Sequence, residues 1–146
     1  MHKQRLTILI IAAIGAAATF LPWVSMPFVG SINGTKGDGW ITFGLYIVPL
    51  ILSLLKDRNA ALNGTLLIAA IIPALIASGF GIYKITDFNI SMSGLNDNPF
   101  ASRLGAAVSI EIGLYLVAIS GILLTILSFL FKNKKEEEET REEENY

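Results

Sequence analysis

Charge is distributed along this chain in a way that few folds can accommodate. Of its 11 basic and 12 acidic residues, eleven crowd into the last fifteen positions, 132–146, so that only twelve are spread over everything before them. A globular surface draws on about a quarter of its residues being charged, and 16% of this chain is charged against 53% hydrophobic. A soluble enzyme is excluded on that ground, and so is a nucleic-acid binder, which needs a folded basic face. What fits is a chain solvated by lipid. Four stretches, residues 6–24, 40–55, 62–83 and 104–131, contain no Lys or Arg, and only the last contains an acid, Glu111. About 20 apolar residues of helix cross a hydrocarbon core of roughly 30 Å. The expected fold is therefore an all-α integral membrane protein. Its four-transmembrane-helix bundle occupies residues 1–131, and an acidic tail follows at 132–146.

Loop charges orient the bundle, because cytoplasmic segments hold an excess of Lys and Arg. With the N-terminus inside, the inner segments carry Lys3, Arg5, Lys56, Arg58, Lys132, Lys134, Lys135 and Arg141, whereas the outer loops carry Lys36, Lys84 and Arg103. Both termini are expected in the cytoplasm, with the chain multi-pass in the plasma (inner) membrane. Positive residues 2–5 before an apolar run, with Ala16-Ala17-Ala18 beyond, also have the form of a signal peptide. The run continues through Phe20, Leu21, Trp23 and Val24, which favours a retained span.

The second and fourth spans share a string. Ile41-Thr42-Phe43-Gly44-Leu45-Tyr46-Ile47-Val48 aligns with Ile110-Glu111-Ile112-Gly113-Leu114-Tyr115-Leu116-Val117, and Ile11-Ala12-Ala13-Ile14 repeats as Ile68-Ala69-Ala70-Ile71. Two tandem hairpins of the same orientation follow, a parallel pseudo-repeat about the membrane normal. Gly44, Tyr46, Gly113 and Tyr115 are then expected to serve equivalent packing roles. Small residues on spans one and four permit close helix contact in lipid, and Pro49 and Pro73 shape the packing of spans two and three.

The outer loops are expected to form a small β cap on the extracytoplasmic side. Asn33-Gly34 is a type I′ hairpin signal. Residues 28–32 of loop one and 88–93 of loop two alternate apolar and small or polar side chains, and a second turn is expected at Ser93-Gly94 and Asn96–Pro99. Trp23 and Trp40 bracket loop one as interfacial-belt residues do. Asp38, between Gly37 and Gly39, reads as a turn-stabilising aspartate, because a calcium site needs about six to eight oxygen ligands.

Glu111 is the single ionisable residue placed within a span, and intramembrane acids are candidates for function by default. With no cysteine and with His2, the sole histidine, at the terminus, no metal site, cofactor or nucleophilic machinery is expected. Hydrolysis by carboxylates alone needs two acids at one site, so the chain is not read as an enzyme. The leading expectation is a scaffold or accessory protein that associates laterally with itself or another membrane protein. The alternative is a small oligomeric ion channel or carrier with Glu111 in its pathway. The basic run Lys132–Lys135 would rest on anionic lipid, while the glutamates after it project into the cytoplasm.

Leu21-Pro22-Trp23-Val24-Ser25, then Gly37-Asp38-Gly39-Trp40-Ile41-Thr42, and later Gly113-Leu114-Tyr115-Leu116-Val117, together form a pattern. It resembles a family of small bacterial four-span membrane proteins that carry no assigned activity. The resemblance covers residues 6–131 and implies a bacterial inner-membrane location. Four spans under a β-capped outer face are also similar to the claudin architecture, although loop one lacks that family's cysteine pair and Trp–Gly–Leu–Trp string.

Overall fold

The computed structural model describes residues 1–55, 59–62, 64–91, 102–103, 105 and 107–131, together with the helical backbone of 92–93 and 132–144. The protein is mostly helical. In chain order it has α1 (Lys3–Ala18), β1 (Pro22–Met26), β2 (Gly30–Asn33), a 3-10 turn (Gly34–Lys36), α2 (Gly39–Leu54), α3 (Gly64–Ser93), β3 (Ser109–Ile110) and α4 (Ile112–Glu144). The apolar parts of α3, Gly64–Ser91, and α4, Ile112–Phe131, are each long and apolar enough to cross a membrane. The helices α1 and α2 have 16 residues each, or about 24 Å of rise.

The helices form a closed ring in which α1 packs on α2 and α4, and α3 packs on the same two. Neighbours run antiparallel. Gln4 at the start of α1 reaches Ser128 far along α4, and Gly81 of α3 faces Ala118 while Ala74 faces Gly121. Contact between α3 and α4 depends on missing side chains. At Gly121 a Cβ would collide with the Ala74 carbonyl and lie 2.7 Å from Ser78 Cβ. The space is used by the Ser78 hydroxyl, which donates to the Ala118 carbonyl.

The ring is apolar on both sides, with a hydrophobic core inside and large aliphatic side chains on its outer flanks. Its interior combines large apolar side chains such as Ile8, Tyr46, Leu67, Leu114 and Leu124 with small and polar ones, including Ala12, Ala74, Ala77, Thr42, Ser53, Ser78 and Ser120. Its flanks expose Ile10, Ile14, Ile51, Ile72, Ile76, Ile119, Ile122 and Ile126. Exposed apolar surface of that continuity marks contact with lipid or protein.

Several elements depart from the sequence expectation, each for a local reason. The first apolar run was expected to stay helical to residue 24, but α1 stops at Ala18. Thr19 turns its hydroxyl and its N–H onto the Ala16 carbonyl, and Pro22 disfavours helix at the residue before it. Residues 22–24 belong to β1 instead. The hairpin reverses at Pro27–Val29, with Met26 opposite Gly30, rather than at Asn33-Gly34. Asn33 ends β2 and Gly34 opens the 3-10 turn. The alternation at 88–93 does not make a strand; α3 continues through it, with Asn89 bonded back to the Ile85 carbonyl. A short alternating run cannot displace a helix that is already nucleated and propagating. The turn expected at 94–99 lies outside the described residues. Loop two does contribute a strand, but from residues 109–110, so α4 begins at Ile112 rather than 104. The sheet order is β2-β1-β3, antiparallel throughout.

The two copies of the repeated string do not occupy equivalent positions. Tyr46 is 0% exposed while Tyr115 is 43% exposed, and Leu114 is buried in its place. Gly44 has open space around it while Gly113 is packed against Pro22 and Trp23. The first-and-third echo shows the same slip, since Ala12 is buried but its counterpart by alignment, Ala69, gives way to Ala70. A slip of one residue turns a helix face by about 100°.

These contacts predict opposite outcomes for two glycines. Gly121→Ala should lower stability by about 1–3 kcal/mol through overpacking against backbone. Gly44→Ala should be neutral or stabilising by up to about 1 kcal/mol. Thermal unfolding of the two variants in detergent micelles checks this.

Candidate functional site

At the end of the bundle holding the N-terminus, a polar seal is built from two consecutive side chains of α1. Arg5 is 2% exposed. Its Nη1 donates to the Leu55 carbonyl at 2.6 Å and the Ser53 carbonyl at 3.4 Å, and its Nε donates to the Ala60 carbonyl at 2.6 Å. The last carbonyls of a helix have no intrahelical donor, and the guanidinium supplies them for α2 while placing positive charge at the negative end of its dipole. Gln4 bridges the other way. Its Nε2 donates to the Ser128 carbonyl, and its Oε1 accepts the Leu62 N–H, both at 2.9 Å. One turn of α1 thus fastens the end of α2, the entry to α3 and the lower part of α4.

Midway along the axis stands Tyr46. Its ring lies over Gly15, where a Cβ would be 2.6 Å from Cε1, and its hydroxyl donates to the Val117 carbonyl at 2.6 Å. The side chain reaches from α2 across α1 to α4 and fills the centre of the ring. Among the described residues, no buried side-chain nitrogen or oxygen lacks a hydrogen-bond partner.

The opposite end is roofed by the sheet, and Trp23 is its plug. The β1–β2 register skips at Trp23. Such a bulge re-aims a side chain, and here the indole is buried, with its Nε1 donating to the Ala18 carbonyl at 3.1 Å. It packs where Gly34 and Gly113 have no side chains. Trp23 is therefore an interior residue and not the belt residue expected of it. Trp40 remains at the surface, 59% exposed, in an edge-to-face trio with Phe20 and Phe43 whose centroids are 5.4–6.1 Å apart. Asp38 precedes α2 without capping it by its side chain. Its carboxylate pairs with Lys84 Nζ at 2.6 Å, which ties the loop to α3.

Glu111 was expected two turns inside a helix, but it lies between β3 and α4. Its N–H donates to the Trp23 carbonyl at 2.8 Å, and its Oε1 accepts from Ser109 Oγ at 3.1 Å in an exposed pair. It stands at the start of α4, six residues before the Val117 carbonyl that Tyr46 bonds. Among the described residues, no three His, Cys, Asp or Glu side chains are grouped so as to hold a metal ion.

No family model, curated protein or solved structure matches this chain.

Arg5 and Gln4 are the buried fastening residues that sequence reasoning passed over, since a basic N-terminal segment reads first as a topology signal. A usable clue was present. Both positions fall in the first turn of an apolar helix, where a polar side chain must either reach water or serve a neighbouring helix end.

Removing the guanidinium should therefore cost much more than removing a surface charge. Arg5→Ala is expected to lose about 2–4 kcal/mol, since buried carbonyls are left unpaired. Arg5→Lys should recover only part, because an ammonium cannot serve three divergent acceptors as a planar fork does. Lys3→Ala is the control, expected within about 0.5 kcal/mol of the parent. Apparent melting temperatures in micelles check the order.

Proposed function

We propose that this chain is a four-span integral membrane protein of the bacterial plasma (inner) membrane, with both termini in the cytoplasm. It acts as a scaffold or accessory protein by lateral association with copies of itself or with another membrane protein. The observation that carries this reading is the exposed aliphatic surface on all four helices around a satisfied core. Polar side chains are satisfied inside the ring, its centre is filled by Tyr46, and the unused surface is aliphatic and lateral. The protein works on its outside.

Topology is supported by where the basic residues fall. Lys3 and Arg5 lie at the same end of the ring as the lower part of α4, which runs on into the basic and acidic tail. Lys36 and Lys84 lie at the sheet end. The helices α1 and α2 are spans by this reading despite their length, because they pair antiparallel between the two sealed ends.

Lateral contact has room at two glycines on adjacent helices. Gly44 of α2 and Gly79 of α3 are exposed and have nothing within 4 Å of the place a Cβ would take, and outward-facing small residues let helices of separate chains approach closely. The channel reading draws no support from Glu111, which stands outside the helices, or from the filled axis.

Two measurements test the proposal. Native mass spectrometry of the protein extracted in detergent and in polymer-bounded native membrane should show a discrete homo-oligomer or hetero-complex. For a homo-oligomer, Gly44→Leu with Gly79→Leu should shift it to monomer without loss of fold; strictly monomeric particles in both extracts would defeat the idea. A fluorescent protein fused after residue 146 should mature, and an alkaline phosphatase fused there should be inactive.

A further inference from the structure

The apex of the β1–β2 hairpin carries apolar side chains that a turn facing water does not call for. Turns are dominated by Gly, Pro, Asn, Asp and Ser, and here Pro27 and Gly30 flank Phe28 and Val29. Phe28 is 99% exposed and Val29 is 69% exposed. Phe28 also has a φ of 69°, in the left-handed region that a bulky residue adopts only at an energetic cost. No residue from Leu21 to Thr35 is charged.

The hairpin stands at the point where the bundle is too short. It joins α1 to α2, the two helices of about 24 Å, while the hydrocarbon core is roughly 30 Å thick. The shortfall of about 6 Å on that flank falls either at the inner end or at the outer end. At the inner end the exposed Lys3 sets the limit of the apolar surface on α1. At the outer end Phe20 and Leu21 are exposed directly after α1, Met26 is exposed on β1, and Phe28 and Val29 follow. The apolar flank of α1 thus continues into the hairpin without a charge. The strand β1 pairs with β2 up to Met26 and with β3 at Val24 and Ser25, which lowers the penalty for bringing the base of the hairpin out of water.

We infer that the β1–β2 hairpin is a membrane anchor: Phe28 and Val29 enter the outer-leaflet interface of the bilayer that the helices cross, making up the hydrophobic thickness that α1 and α2 lack. The inference rests on the four-span reading. Lipid is the favoured occupant because the hairpin is uncharged throughout, continues the lateral apolar surface, and lies on the side of the short helices. The left-handed backbone at Phe28 is the cost of presenting an aromatic ring at the apex.

The full chain contains no cysteine, so single thiols report position directly. Phe28→Cys, Val29→Cys, Ile122→Cys and Lys36→Cys variants, each carrying an environment-sensitive fluorophore, would be reconstituted into phosphatidylcholine vesicles. Quenching is then read with iodide in the water and with nitroxides at the headgroup and along the acyl chain. Positions 28 and 29 should show blue-shifted emission, loss of iodide quenching and strongest quenching by the shallow nitroxide. Position 122, exposed on α4, should be quenched by the deep nitroxide, and position 36 by iodide. Iodide quenching at 28 and 29 with normal deep quenching at 122 would overturn the anchor and leave the spans intact. Shielding of 28 and 29 from every quencher would overturn it in favour of a protein partner or a second copy. Failure of deep quenching at 122 would remove the four-span reading, and the anchor with it.

Discussion

In the proposed bilayer setting, flanks of isoleucine and leucine keep water away from this bundle, so each polar group between the helices has to find its partner within the protein. In hydrocarbon an unsatisfied backbone or side-chain group costs several kcal/mol, and that penalty selects the architecture. It explains why Arg5 is folded onto the open carbonyls of α2 and the connection after it, and why Gln4 uses both ends of its amide. Ser53, Ser120 and Ser128 return their hydroxyls to carbonyls of their own helices. The two exceptions tie helices together: Tyr46 bonds to Val117 and Ser78 to Ala118. In a bilayer, where helices gain no hydrophobic driving force from one another, cohesion would depend on such bonds and on close contact at Gly15, Gly81 and Gly121.

The two ends solve the same problem with different chemistry. At the N-terminal end side chains seal the ring, because α1 begins beside the last carbonyls of α2 and Arg5 reaches them. At the opposite end a sheet seals it, with β1 held between β2 and β3 and the Trp23 indole inserted below. The sheet also links the start of α4 to the end of α1 through the bond from Glu111 N–H to the Trp23 carbonyl. Sheet and plug need Gly34 and Gly113, since either side chain would occupy the indole's place.

Much of this was legible in the sequence, because hydropathy and charge report solvent directly. All four apolar runs became helix over most of their length, and the expected small sheet exists. What hydropathy could not give was the point where an apolar run changes backbone. Pro22 and Thr19 ended α1 early, and Ser109–Ile110 was drawn into the sheet by β1, while residues 88–93 stayed helical. The Gly-Leu-Tyr echo was real as a string, yet Tyr46 points inward and Tyr115 outward, because string matching does not register a helix turned by one residue. Glu111 looked intramembrane for the same reason as the run around it looked like one span. The seal at Arg5 was hidden because its partners are carbonyls, which every residue has.

The central claim is that all four helices face lipid outside and one another inside, with no water-lined face. Spin-label accessibility in reconstituted vesicles tests it most directly. Single nitroxides placed at Ile10, Ile51, Ile72 and Ile122, one on each helix, would be measured with oxygen, which concentrates in hydrocarbon, and with a water-soluble nickel chelate. The account predicts that all four sites collide readily with oxygen and scarcely with the chelate. Chelate access at one helix or a pair of neighbours, with oxygen access retained at the others, would contradict it and reveal a polar path along that side.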